Sequence, residues 1–264
     1  MLIRGGGYSK PRAGSQLDYS HRLTRGLVLA LPLNEGDGEV QNLAKYSAIR
    51  PSFSSTPPSH RGGGLFFAGT ASYLTFGNPA GFTSDLTTAF VVVRYDTQRG
   101  EMMGYASSGS GRAYYHGINR TTPAQHCGWG GGAPIVGSVL TTIGKPHALV
   151  ASRTGASSSW TIDLYFDGAI DKAAQAYAVS PNSPTELVIG RMGAENGNYF
   201  KGEIRCACAW NRKLSADEVA EWSAEPWGML RTMPWRRYYD MSGAAAGGDA
   251  VPQAWMQYRA RRAA

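Results

Sequence analysis

Large apolar side chains recur with a period of two in several short runs along the chain. Leu27, Leu29, Leu31 and Leu33 form the first run, closed by the turn Asn34-Glu-Gly-Asp-Gly38. That period is the signature of a strand. Leu65-Phe66-Phe67 and Tyr73-Leu74-Thr75-Phe76 follow, separated by Ala68-Gly-Thr-Ala-Ser72, and read as a pair of short strands. Ala89-Phe90-Val91-Val92-Val93 is apolar throughout, as is Ala148-Leu149-Val150-Ala151, which predicts central strands covered on both faces. Trp160, Ile162, Leu164 and Phe166 alternate with Thr161, Asp163 and Tyr165 and run into Asp167-Gly168, a dipeptide that favours a hairpin turn. Glu186-Leu-Val-Ile-Gly190 and the alternating Ile204, Cys206, Cys208 and Trp210 complete the set. Many short strands divided by turns predict an all-β sandwich or barrel.

One segment has another signature, Leu214-Ser-Ala-Asp-Glu-Val-Ala-Glu-Trp222. Ser215 is a natural N-cap, and Glu218 three residues on closes a capping box. Leu214 can pack on Val219 as a hydrophobic staple, and Asp217 and Glu218 suit the positive end of the helix dipole. This predicts one short C-terminal helix covering an edge of the sandwich.

Composition agrees with a folded, turn-rich chain. Hydrophobic residues make up 42% and charged residues 17%, too apolar and too weakly charged for disorder. No stretch approaches the roughly 20 apolar residues of a membrane-spanning helix. The opening MLIRGGGYSKPR has no apolar signal core, so folding in a cytoplasm is expected. The cysteines are Cys127, Cys206 and Cys208, an odd number that argues for reduced, buried thiols over a disulfide framework. A zinc site from these three with His126 would have a spacing matching no common pattern.

Basic charge is concentrated at the two ends. Residues 1–25 carry Arg4, Lys10, Arg12, Arg22 and Arg25 against Asp18 alone. Residues 226–264 carry six arginines against Asp240 and Asp249, while the stretch between is nearly balanced. Gly5-Gly6-Gly7 and Ser242-Gly-Ala-Ala-Ala-Gly-Gly-Asp249 mark both ends as arms that cannot form their own core. The expected organisation is a basic N-terminal arm over 1–25, a β domain over 26–224 and a basic C-terminal arm over 225–264. The last arm holds Trp227, Trp235 and Trp255, three of the seven tryptophans. Tryptophan and arginine are enriched at interfaces. Candidate partner-binding residues are therefore those tryptophans together with Arg4, Arg12, Arg231, Arg236 and Arg237. The arginines are too sparse for a nucleic-acid-binding run.

The segments Gly26-LVLALPLNEGDG, GGGLFFAGTASYLTF at 62–76, KPHALVASRTGASSSWTIDLYFDGAI at 145–170 and ELVIGRMGAENGNYFKGEIRCACAWNRKLSADEVAEW at 186–222 come in a recognisable order. Together they resemble the laminin-G-like, concanavalin-A-like lectin/glucanase superfamily over about residues 26–224. The resemblance implies a jelly-roll β-sandwich of two antiparallel sheets. It fixes no function, because that fold carries lectins, hydrolases and structural modules. The ending Ala224-Glu-Pro-Trp-Gly-Met-Leu-Arg-Thr-Met-Pro-Trp-Arg-Arg237 looks like the tails that follow such domains in tailed-bacteriophage proteins.

Candidate chemistry is sparse. Glu35-Gly-Asp37-Gly-Glu39 fits a bare E-x-D-x-E pattern, which in one glucanase family of the superfamily implies catalytic carboxylates. Glycines between the acids make a turn and not a rigid strand, so no catalysis is expected. Asp37, Asp167 and Asp171 are loop acids without the density of a calcium site, so no cofactor is expected. His147 precedes a core strand and reads as a structural histidine. Tyr105, Tyr114, Tyr115 and Trp129 lie in a Gly-rich stretch, 104–132, and are the candidate glycan-stacking residues, although strands there would put them in the core. The leading expectation is a non-enzymatic phage virion protein, such as a capsid decoration protein. Its partners would be other virion proteins or further copies of itself, with no membrane and no specific nucleic acid. The alternative is a module that binds polysaccharide for host recognition.

Overall fold

Strand-forming sequence accounts for nearly all the regular structure of the computed structural model, which describes residues 15–33, 40–44, 51–61, 63–77, 85–95, 100–107, 112–119, 121–129, 132–156, 159–178, 184–192 and 198–231. The chain divides into units Met1–Thr232 and Met233–Ala264, and every described residue lies in the first. In chain order the strands begin with β1 (Gln16–Leu17), β2 (Leu27–Leu31), β3 (Ser52–Phe53), β4 (Ser59–Arg61), β5 (Gly64–Ala68) and β6 (Leu74–Thr75). Then come β7 (Leu86–Arg94), β8 (Glu101–Ser107), β9 (Arg112–Ile118), β10 (Ala124–Gly128), β11 (Ile135–Leu140) and β12 (Pro146–Ala156). The last are β13 (Ser159–Phe166), β14 (Ala169–Tyr177), β15 (Pro184–Ile189), β16 (Lys201–Trp210) and, after helix α1 (Ala216–Ala224), β17 (Leu230–Arg231).

All pairings between these strands are antiparallel, and two large sheets result. The eight-stranded sheet runs β14-β13-β12-β7-β16-β5-β4, with β2 also pairing to β16. The seven-stranded sheet runs β11-β10-β9-β8-β15-β6-β3. This is the jelly-roll sandwich that the sequence resemblance implies. Segments 65–67 and 73–76 do form strands, but β5 and β6 belong to opposite sheets and do not pair with each other.

The core has two layers. Between the sheets lie Leu29, Phe90, Trp129, Leu164 and Phe200, all buried. On the outer face of the eight-stranded sheet, α1 covers a second layer containing Ala89, Val91, Cys206, Cys208 and Trp210. Strand β7 is buried at every residue because Phe90 and Val92 face one layer while Ala89 and Val91 face the other. Helix α1 therefore lies on a sheet face and not at an edge, with Trp222 meeting Trp210 edge-on at 6.2 Å. Its capping box is complete: the Glu218 N–H donates to Ser215 Oγ at 3.2 Å, and the Ser215 N–H donates to Glu218 Oε2 at 2.9 Å. Arg212 forks onto Glu218 with two contacts of 2.7 Å and, above every other influence, holds that carboxyl down at about 2.

The turn Asp167-Gly168 carries positive φ at both residues, 48° and 82°, as a tight hairpin between twisted strands requires. Asp167 also accepts the Ala148 N–H at 2.7 Å and bonds His147 Nδ1 at 2.9 Å. His147 Nε2 then accepts the Thr142 N–H at 3.0 Å, so this histidine ties three segments together.

The domain is longer at both ends than the expected 26–224. Residues 15–25 and 225–231 pack into it: β1 pairs with β17, and Trp227 and Met229 are 4% and 2% exposed in the helix-side layer. Local composition marked these stretches as arms, but their apolar side chains find partners about two hundred residues away in the chain.

Candidate functional site

The aromatics of 104–132 do not form an exposed platform. Tyr105, Tyr114, Tyr115 and Trp129 are 5%, 3%, 1% and 2% exposed, so the stacking residues expected there are core residues. The reason is the strand period: in β9 and β10, Tyr114 and Cys127 face the inter-sheet layer. Trp129 and Trp160 lie parallel, 9° apart in plane, and the Arg153 guanidinium sits 4.2 Å from each ring centroid between them. Burial lowers that guanidinium to about 10. The Tyr177 hydroxyl donates to the Trp129 carbonyl at 2.6 Å and accepts its N–H at 3.0 Å.

The opposite face of these strands carries a polar row. Glu101, Gly117 and His126 lie side by side in register, and His126 Nε2 contacts Glu101 Oε2 at 2.8 Å. A Cβ at Gly117 would run into that carboxylate, and one at Gly128 would run into the Tyr115 hydroxyl. Two glycines thus make room for two large polar side chains lying across the sheet. Glu101 and His126 are 2% and 6% exposed, which makes the pair part of the packing of this face.

The cysteines and acids considered as ligands stand apart. Cys206 and Cys208 have sulfurs 3.8 Å apart beneath α1, Cys127 lies between the sheets, and His126 faces the other way. Asp171 accepts the Ser138 N–H at 3.0 Å and Asp167 serves its turn, while Glu35, Asp37 and Glu39 lie outside the described residues. Burial pushes the Cys127 thiol up to about 12 and the Cys208 thiol well above its usual value. A thiol reagent is therefore expected to label the folded protein slowly and the denatured protein fast. Rapid labelling of three thiols in the native state would show that these layers are open.

The terminal segments form the best-built surface. Gln16 pairs with Arg231 and Leu17 with Leu230, and the Asp18 N–H donates to the Met229 carbonyl at 2.8 Å. Arg231 reaches back to Asp18 at 2.5 Å and to Ser20 Oγ at 3.0 Å. Ser20 first, and Arg231 after it, hold the Asp18 carboxyl below its usual range. Arg22 pairs with Glu221 of α1, and the Trp210 indole donates to the Leu23 carbonyl at 2.6 Å. A cleft of about 420 Å³ lies alongside, lined in part by Tyr19, His21, Arg22 and Arg25. Of the expected partner-binding residues, Trp227 and Arg231 are thus fixed in the domain. Arg4, Arg12, Trp235, Arg236, Arg237 and Trp255 lie outside the described residues.

The family model of the concanavalin A-like lectin/glucanases superfamily matches residues 68–220, more than half of the chain. The chain belongs to that superfamily. Solved structures of similar fold include a Trypanosoma rangeli sialidase in complex with sialic acid, 12% identical with a TM-score of 0.57, the match covering 75% of this chain and 33% of the sialidase. The botulinum neurotoxin serotype D binding domain is 8% identical with a TM-score of 0.57, covering 76% and 52% of the two chains. The binding domain of Paraclostridial Mosquitocidal Protein 1 is 12% identical with a TM-score of 0.59, with the same coverage of 76% and 52%. This member of the superfamily therefore corresponds to a third of the sialidase and about half of each toxin domain. At such identities the likeness is one of fold. No curated protein matches the chain in sequence.

Proposed function

We propose that the chain is a non-enzymatic attachment module, a structural protein of a tailed-phage virion made in the host cytoplasm. Its jelly-roll domain is held on neighbouring subunits by its two terminal arms. The observation that carries this reading is the pairing of β1 with β17, which sets Gln16 beside Arg231. The points at which the two terminal segments join the described domain therefore lie side by side. Arg4, Lys10 and Arg12 precede that point, and five arginines against two aspartates follow it. Two basic, aromatic-bearing segments rooted together suit one acidic partner surface.

The test is co-sedimentation with particles lacking the protein. The full chain is expected to bind, and a 15–231 chain that keeps the β1–β17 pair is expected to lose binding. Replacing Arg236 and Arg237 should weaken attachment, with greater salt sensitivity wherever the surviving contacts are electrostatic. Equal binding by the 15–231 chain would sink the arm reading. Release of reducing ends from a β-glucan by the purified chain would overturn the non-enzymatic one.

A second reading is glycan recognition. It is favoured by the fold shared with a sialidase solved with sialic acid and with two toxin binding domains.

A further inference from the structure

Glu203 breaks the pattern of its strand. Its register neighbours are Phe66 on β5 and Val93 on β7, both suited to an apolar position. Ile204 faces the layer between the sheets, so Glu203, one residue earlier, is on the outer face of the eight-stranded sheet. The residue is nonetheless fully buried. A buried carboxylate is strongly unfavourable unless its oxygens are matched, and a strand that needed only stability would carry an apolar residue here.

Both oxygens are matched, and the partners are the informative part. Oε2 accepts the Tyr95 hydroxyl at 2.5 Å, and Oε1 accepts Arg205 Nε at 2.8 Å. Tyr95 is 44% exposed, with its ring 6.0 Å from that of Phe66. The Arg61 guanidinium stands 4.2 Å over the Phe66 ring and has no ion-pair partner among the described residues. The bond to Glu203, more than burial, raises the Tyr95 phenol and keeps it a donor to the carboxylate. A buried anion thus braces an exposed aromatic ring and a guanidinium, with a second guanidinium beside them. Ordering such groups in advance lowers the entropic cost of binding.

We propose that Tyr95, Phe66, Arg61 and Arg205, braced by Glu203, bind a carboxylate-bearing sugar unit on this face of the eight-stranded sheet. The inference rests on the glycan reading above and supplies its ligand class. The aromatic ring offers an apolar surface to the face of a pyranose, and a guanidinium takes a carboxylate with paired hydrogen bonds. An acidic peptide could meet the same charges, but it would make little use of an exposed ring with a fixed tilt.

The experiment is calorimetric titration of the full chain with trigalacturonate, neutral galactotriose and a tetraglutamate peptide. Trigalacturonate is expected to bind, and galactotriose to bind at least about tenfold more weakly. Arg61→Ala should weaken trigalacturonate binding by about tenfold or more with the melting temperature held, and Tyr95→Ala should weaken it as much while lowering the melting temperature, because Glu203 Oε2 loses its donor. Equal binding of both sugars would overturn the acidic-sugar assignment and leave glycan recognition standing. Binding of neither sugar would overturn both. Unchanged affinity in the two variants would place the site elsewhere, and tighter binding of the peptide would make this face a protein-docking surface.

Discussion

A chain ending at Ala224 is expected not to fold stably, whereas one ending at Thr232 keeps a cooperative thermal transition. Residues 225–231 look like the start of a tail, yet Trp227 and Met229 are 4% and 2% exposed beneath the domain surface. Removing a buried Trp or Met side chain costs roughly 2–5 kcal/mol. Two such losses approach the roughly 5–15 kcal/mol by which a domain is stable at all. The same cut removes β17, the partner of β1, and strips cover from Leu17. Circular dichroism melts of chains 1–224 and 1–232 decide the matter. Coincident melting curves would show that the last turn and strand add nothing.

Acidification should destabilise the fold well above the range where carboxylates titrate. His116 lies between the sheets, edge-on to Phe90 at 5.3 Å. Its Nε2 accepts from Gln125 Nε2 at 2.9 Å, and Gln125 in turn donates to the Val150 carbonyl at 2.8 Å. That leaves Nδ1–H to donate to Thr88 Oγ1 at 2.9 Å, so the ring is held neutral. Burial, and after it the charge of His126, depresses the group from 6.5 to about 3. A histidine with a depressed folded-state value contributes stability that is fully present above 6.5 and lost as pH falls toward 3. The slope for one proton is about 1.4 kcal/mol per pH unit. Glu218 acts in a lower window, between 4.5 and about 2, because Arg212 favours its ionised form. Urea denaturation at several values between pH 7.5 and 5 should show the slope in the parent and lose it in His116→Gln. An identical slope in that variant would move the effect to another residue.

Local features were legible in the sequence because their causes are local. The capping box needs only Ser215 and Glu218, three positions apart, and the hairpin only Asp167-Gly168 after an alternating run. The all-apolar run from Ala89 to Val93 announced burial on both faces, and that part of β7 is buried on both. Pairing partners were less legible: Leu65-Phe66-Phe67 and the next run lie close in sequence but join opposite sheets. Whether Tyr114 or Tyr115 faces the core depends on register across β8, β9 and β10, which no single run contains. The burial of Glu203 follows from its neighbours on β5 and β7, which lie far from it in sequence. The joining of the two terminal segments was hidden for a related reason: Arg231 bonds Ser20 across 211 positions, and Trp210 bonds Leu23 across 187.

The β1–β17 pair also sets how the domain responds to force. Its two strands are antiparallel and their outer ends lie side by side at Gln16 and Arg231. Tension pulling the two arms apart would open this ladder one bond at a time, as a zipper opens, and not shear several bonds at once. Tension applied to both arms in the same direction would leave the ladder unloaded and simply drag the sandwich behind it. If the domain were held by both ends in this way, it would follow the pull while its sheets carried none of the strain.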